Sequence, residues 1–266
     1  MGARWYGIKD ALRRKLFPRL EPRASGFIAE QKSLAKSLAG RFTHAIVHAG
    51  LSAVDAASAR EAADAIFQEL SSSLSFFVCP AYTPSFRKSR VFSIPDSQPE
   101  VGGFSKMCME RKPPRTIDPI HSLFVFGKTG AELLSDPVRD TFAPDGVFKH
   151  FSDPGSCWIN IGTPQLVSTV LHYVERLACV PYTREETLAG HFFYSDNRKE
   201  EVRQTSYRRV FRVAWNREKI ENFLISFGAA EKFLWRGAVV RVVDGNLAVK
   251  LLMRELSGNP YFMVTP

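Results

Sequence analysis

The chain has 266 residues, 36 Lys and Arg against 27 Asp and Glu, and a formal net charge of +9. Hydrophobic residues make up 45% and aromatics 12%, with 21 Phe, which supports a sizeable core and excludes wholesale disorder. No apolar run approaches the roughly 18 residues of a bilayer-spanning helix, and the four scattered cysteines form no CxxC pair, against a zinc ribbon or disulfide scaffold and in keeping with a reducing cytosol.

The N-terminus carries Trp5, Ile8, Leu12, Leu16 and Phe17 at helical spacing between basic residues, and Pro18 and Pro22 stop the pattern. This predicts an amphipathic helix over 4–20 that packs as an arm or lies on a membrane or partner. It lacks the apolar stretch and small-residue cleavage site of a secretory signal. A second helical stretch is predicted over 26–39, with Gly40 as its C-terminal stop. THAIVH at 43–48 reads as a strand, AGLSAVDA as a turn, and 57–71 as an Ala-rich helix with Ile66, Phe67 and Leu70 inward. SFFVCPAYT is a continuous apolar run of the kind buried on both faces. Together these predict a parallel strand–helix–strand crossover.

Residues 83–117, rich in Pro, Ser, Arg and Lys, read as a long loop with a short helix near 105–111, and loops of that length are commonly functional. Then follow a strand (HSLFVFG), a helical turn (GAELLSD), a strand (SCWINIG) and a helix over TPQLVSTVLHYVERLACV. YRRVFRVAW is a late strand, EKIENFLISFG a helix, AVVRVVD a final strand and NLAVKLLMREL a closing helix. No linker or repeat interrupts the order, which predicts one α/β domain.

Three clusters could carry chemistry. HAGLS, comprising His48, Ala49, Gly50, Leu51 and Ser52, is a Gly-bearing strand-to-helix turn whose N–H groups could approach a phosphate or acyl group; it reads equally as an ordinary turn. RTIDPIHS gathers Arg115, Thr116, Asp118, His121 and Ser122. Asp118 and His121 could form an acid/base pair, or Asp118 could cap a turn at Pro119. His172 and Glu175 stand at i and i+3 on one helix face, where a carboxylate orients an imidazole or makes a surface ion pair. A third metal ligand with suitable spacing is missing, so no metal is expected. The cysteines read as packing residues, and the absence of GxSxG argues against an α/β-hydrolase. The basic residues are dispersed and bring no zinc finger, helix-turn-helix, RNP or KH signature. Nucleic acid is therefore the least supported partner, and an anionic cosubstrate is better supported.

Taken in order, several segments resemble the aminoglycoside 3-N-acetyltransferase-like family, the antibiotic acetyltransferases that use acetyl-coenzyme A. They are HAGLS; PAYTPSF at 80–86; VGGFSKMCMERKPPRTIDP at 101–119; LHYVERLACVPY at 171–182; and WRGAVVRVVDGNLAVKLLMRELSGNPYF at 235–262. The last segment looks most like a branch associated with bacterial surface polysaccharides. The resemblance implies a three-layer α/β/α sandwich around a mixed, mostly parallel sheet. It implies an acyltransferase domain over 41–266 behind an N-terminal helical extension over 1–40. It implies acetyl-CoA as cosubstrate, an amino sugar or aminoglycoside as acceptor, and a cytoplasmic setting; the N-terminal helix lies outside the resemblance, and its basic amphipathic pattern leaves membrane-peripheral contact open. His48, Ala49, Gly50, Leu51 and Ser52 match the turn that receives coenzyme A, with Arg115, Thr116 and Ser122 as further candidates there. Tyr82, Thr83, Ser85 and Phe86 match the loop beside the acceptor, and His172 and Glu175 match an HxxE helix lining the site.

The family usually has His-Pro where this chain has Asp118-Pro119, and that histidine is generally assigned as the base. Either Asp118 or His121 takes over with His172 assisting, or the chain binds its ligands without efficient transfer. An ordinary aspartate, with a pKa near 4, needs desolvation to serve as base.

Overall fold

The computed structural model describes residues 30–134, 139–210 and 213–265. The predicted helix over 4–20 lies outside them. Helix α1 (Leu34–Leu38) starts at a Ser33 cap and packs Leu34 and Leu38 into the core. Gly40, just beyond it, takes the left-handed conformation at φ +73.

Strand β1 (His44–Ala49) leads through a 3₁₀ turn at Leu51–Ala53 into α2 (Ala59–Ser73). The Ser58 side chain caps α2 by accepting from the Glu61 N–H, and Ala62, Ala63, Ile66, Phe67 and Leu70 form its buried face. Strand β2 (Phe76–Pro80) returns parallel to β1, as the apolar pattern predicts. After the short α3 (Phe86–Ser89) and β3 (Val91–Ser93) comes α4 (Gly102–Glu110). Then come β4 (Leu123–Gly127), β5 (Ser156–Ile161) and α5 (Val170–Leu177). A long hairpin, β6 (Thr183–Phe193) and β7 (Lys199–Arg209), is followed by β8 (Ala214–Trp215) and α6 (Arg217–Ser226). Strands β9 (Ala230–Trp235) and β10 (Ala238–Asp244), helix α7 (Gly245–Gly258) and β11 (Val264–Thr265) complete the described chain.

The main sheet has six strands in the order β4-β2-β1-β5-β10-β9. It is mixed, but the expectation of a mostly parallel sheet is corrected. The two pairings of β1 are parallel, and the other three, β2–β4, β5–β10 and β10–β9, are antiparallel. The reason is local. Strands β9 and β10 are joined by Arg236 and Gly237, both at positive φ, in a two-residue turn that forces an antiparallel return. Side chains alternate across the sheet into two apolar layers. Ile46, Val78 and Trp158 meet α5, α6 and α7 on one face. Ala45, Val47, Phe77 and Ile159 meet α1, α2 and α4 on the other. This is the three-layer sandwich.

The β6–β7 hairpin pairs with β3 in a separate three-stranded sheet. It covers its own small core of Phe86, Phe92, Leu188, Phe192 and Val202. Gly190 is required there, because a Cβ would stand 2.6 Å from both the Arg90 carbonyl oxygen and the Phe86 ring. This sheet overhangs the face that carries the candidate site.

Candidate active site

His172 projects from α5 into a cleft of about 580 Å³ lined by Arg87, His121, His172, Glu186, Tyr207, Arg208, Arg209, Val210 and Val213. The i, i+3 spacing on α5 sets its Nδ1 2.9 Å from Glu175 Oε2. Glu175 is 1% exposed, and its other oxygen accepts from Trp215 Nε1 at 2.7 Å and stands 3.6 Å from Arg209 Nε. Trp215 lies against the His172 ring, with centroids 4.5 Å apart, and the Arg209 guanidinium stacks on Trp215 at 3.8 Å. A carboxylate this buried and fully engaged holds the imidazole in one orientation. It favours the tautomer with the proton on Nδ1, which leaves the lone pair on Nε2.

Burial is the largest influence on His172 and pulls its pKa below the ordinary value; the Glu175 contact opposes this, and the Arg209 charge adds to it. The neutral imidazole therefore prevails at neutral pH, as a general base requires. The limb of kcat/KM that reports this group is expected below the ordinary histidine pKa of 6.5. A pH–rate profile in wild-type protein reads it.

His121 shares the cleft, its ring centroid 6.3 Å from that of His172 and 5.1 Å from those of Tyr82 and Phe142. Its Nδ1 is buried with no hydrogen-bond partner among the described residues. Burial, then the neighbouring His172 and Arg87, push its pKa well down, so it too is neutral.

Asp118 does not line this cleft. It is 2% exposed, and its Oδ1 accepts from the Ile120 and His121 N–H groups, both at 2.7 Å. Its Oδ2 accepts from Thr141 Oγ1 at 2.8 Å and Gln204 Nε2 at 3.5 Å. The idea of Asp118 as base is thereby corrected. Burial does raise its pKa, against the pull of these donors, but the oxygens are consumed in shaping the turn that presents His121.

The same segment corrects three cofactor candidates. Arg115 donates to Ser122 Oγ and to the Ser97 and Ala81 carbonyls, Ser122 donates to Ala81, and Thr116 Oγ1 accepts from the Leu123 N–H. All three are buried and lock the loop to β2 and β4. In the loop expected to lie beside the acceptor, Tyr82 meets His121 and donates to Thr169 Oγ1 at 2.5 Å. Thr83 is buried and donates to the Pro119 carbonyl, Ser85 donates its hydroxyl and N–H to the Glu100 carboxylate, and Phe86 fills the small core. Among these four only Tyr82 adjoins the histidines.

The HAGLS turn is built as its glycine suggested. Gly50 packs against Gly162 so closely that a Cβ on Gly50 would stand 2.7 Å from the Gly162 carbonyl oxygen. Ala49 ends β1, Leu51 turns inward, and Ser52 is exposed. His48 lies on the His172 side of the sheet, in register with Asn160. Neither of its buried ring nitrogens has a partner among the described residues. Burial and the Arg217 charge hold its pKa at about 4. The Gly102-Gly103 start of α4, which has no side-chain cap, lies beside Leu51.

Sequence reasoning missed Trp215, Arg209 and Arg87. Their contacts to α5 and Glu186 cross long sequence separations and leave no local pattern. Among the described residues no group of three or more His, Cys, Asp or Glu could hold a metal ion, and no helix is long and apolar enough to cross a membrane.

Solved structures share this architecture. The aminoglycoside acetyltransferase AAC(3)-IIb is 19% identical with a TM-score of 0.69, over 85% of this chain and 96% of its own. AAC-IIIb, solved as a binary complex with CoASH, is 18% identical with a TM-score of 0.69, over 90% and 98%. The YokD protein from Bacillus subtilis is 15% identical with a TM-score of 0.67, over 85% and 98%. At such identities the likeness establishes the fold. None of the curated proteins compared matches the chain. The family profile described as aminoglycoside 3-N-acetyltransferase matches residues 46–254, which takes in the HAGLS turn, the His121 turn, the His172–Glu175 helix and all of the six-stranded sheet except the first two residues of β1. By that match the chain belongs to the aminoglycoside 3-N-acetyltransferase family, whose cosubstrate is acetyl-CoA.

Proposed function

We propose that the protein transfers an acetyl group from acetyl-CoA to a primary amine on an amino sugar, of a surface polysaccharide precursor or an aminoglycoside, by direct attack. The observation that carries this reading is the His172–Glu175 pair facing a cleft in a chain of this family. The amine nitrogen attacks the thioester carbonyl carbon while His172 Nε2 takes its proton. Collapse of the tetrahedral species breaks the carbon–sulfur bond, and the departing thiolate takes up the proton from His172. Glu175 fixes the ring and stabilises the transient imidazolium. His121, neutral and with a free ring nitrogen, is suited to donate to the oxyanion.

The HAGLS turn and the start of α4 suit the cosubstrate. The exposed Ser52 and the uncapped Gly102-Gly103 helix start offer N–H and hydroxyl donors without side chains in the way, and His48 offers ring nitrogens not yet engaged. Under this reading residues 41–266 are the catalytic domain and 1–40 an extension, acting in the cytoplasm where acetyl-CoA is supplied.

The departure at Asp118 does not favour a non-catalytic protein, because the base in this scheme is His172. The test is thiol release from acetyl-CoA with a panel of amino sugars and aminoglycosides. Release is expected only when an amine is supplied, matched by an N-acetylated product. Binding of acetyl-CoA without release for any amine would favour the non-catalytic alternative.

A further inference from the structure

The outer wall of the cleft is cationic. Arg87, Arg208 and Arg209 line it with one carboxylate, Glu186. A hollow of about 360 Å³ continues the cleft past Arg208 and Arg209 to Arg184. The hairpin sets Arg184 directly opposite Arg208, a cross-strand like-charge pair that costs stability unless something anionic sits over it. Glu186 is already shared, one oxygen 2.6 Å from Arg87 and the other 3.3 Å from Arg208. Arg184 has no carboxylate partner among the described residues. The remaining acids are engaged elsewhere: Glu175 with His172 and Trp215, and Glu185 and Asp140 with the Tyr207 hydroxyl.

We propose that the acceptor is an amine that also carries a phosphate ester, and that Arg184 and Arg208 hold the phosphate while the amine reaches His172. This rests on the transferase reading and names its substrate class. Arginine pairs present planar, forked donors suited to phosphate oxygens. A polycationic amine would instead bring its further ammonium groups against four guanidiniums. The phosphates of coenzyme A are the other source of the same chemistry. None of residues 48–52, proposed above to receive the cosubstrate, lines the arginine cleft or its extension.

Calorimetric binding to the full-length protein loaded with CoA tests this with glucosamine, glucosamine 1-phosphate, uridine diphosphate-glucosamine and gentamicin. The phosphate-bearing amines are expected to bind about tenfold or more tightly than glucosamine. The monophosphate and nucleotide arms distinguish which carrier the wall accepts. In the double variant R184Q/R208Q that advantage is expected to collapse towards one while CoA affinity holds. Both side chains are exposed, so folding is not at stake. Equal binding of glucosamine and its phosphate, or tighter binding of gentamicin, overturns the proposal even if acetylation is detected. Weakened CoA binding in the variant also overturns it, by assigning the wall to the cosubstrate. A phosphate advantage with no acetylation of any amine would support the binding site and count against the transferase reading.

Discussion

Replacing His172 with Ala is expected to lower kcat/KM for amine acetylation about 10³-fold, the scale of a general base. That corresponds to about 4 kcal/mol of barrier. The loss should fall on kcat, because His172 meets the amine proton chiefly in the transition state, and acetyl-CoA affinity should change little. The variant leaves Glu175 buried with Trp215 Nε1 and Arg209 still in place, so the carboxylate keeps partners and the fold should survive. Steady-state kinetics with thiol detection, alongside calorimetric binding of CoA, separates these effects. A small change in kcat would move the base elsewhere, with His121 the next group in the cleft.

The second large effect is on stability. Asp118→Ala strips the acceptor from two backbone N–H groups and the Thr141 hydroxyl, and removes the longest of three acceptors from the Gln204 amide. Each orphaned donor is costly, offset in part by removing a buried charge, and the expected net loss is about 3 kcal/mol in urea unfolding. Activity should fall too, since the turn presents His121. Asp118→His should also lower both, because an imidazole cannot accept from two adjacent N–H groups at once. The pH dependence has a definite sign. Burial raises the folded-state pKa of Asp118. The folded state therefore binds its proton more tightly than the unfolded chain, and stability from this group falls as pH climbs from the ordinary carboxylate value through the folded one. Asp118→Asn should flatten that slope.

The strand–helix–strand crossover was readable because its signals are local. The β2 run is apolar on both faces, and α2 has a Ser58 cap and an inward stripe at helical spacing. The β6–β7 hairpin was not, because β7 places Gln204 and Ser206 at inward positions where apolar residues would have marked the alternation. Gln204 is there to serve the Asp118 turn, so the residue that hid the strand supports the site. The late strand predicted over 207–215 joins the end of β7 to β8 across positions outside the described residues. Strand β9 was missed for a related reason: only Phe233 and Trp235 of its six residues are fully buried, and the Arg236-Gly237 turn lacks the usual Asn-Gly or Asp-Gly signal.

For the site, the HxxE pair was legible from spacing on one helix. What surrounds it was not. Trp215 and Arg209 reach Glu175 from strands 40 and 34 residues away in the chain. The role of Asp118 turned on burial and on donors from Thr141 and Gln204, which no local pattern announces. Arg115 and Ser122, candidates for the coenzyme A site by resemblance, are braces that tie their loop to the end of β2.

The most direct measurement runs wild-type protein and the His172→Ala variant side by side with acetyl-CoA and the panel of amines, counting thiol released against N-acetylated product. The result predicted is amine-dependent release in equal amount to product for the wild type, and about a thousandfold less for the variant. Release at the same rate from both proteins, or none from the wild type with any amine, would contradict it.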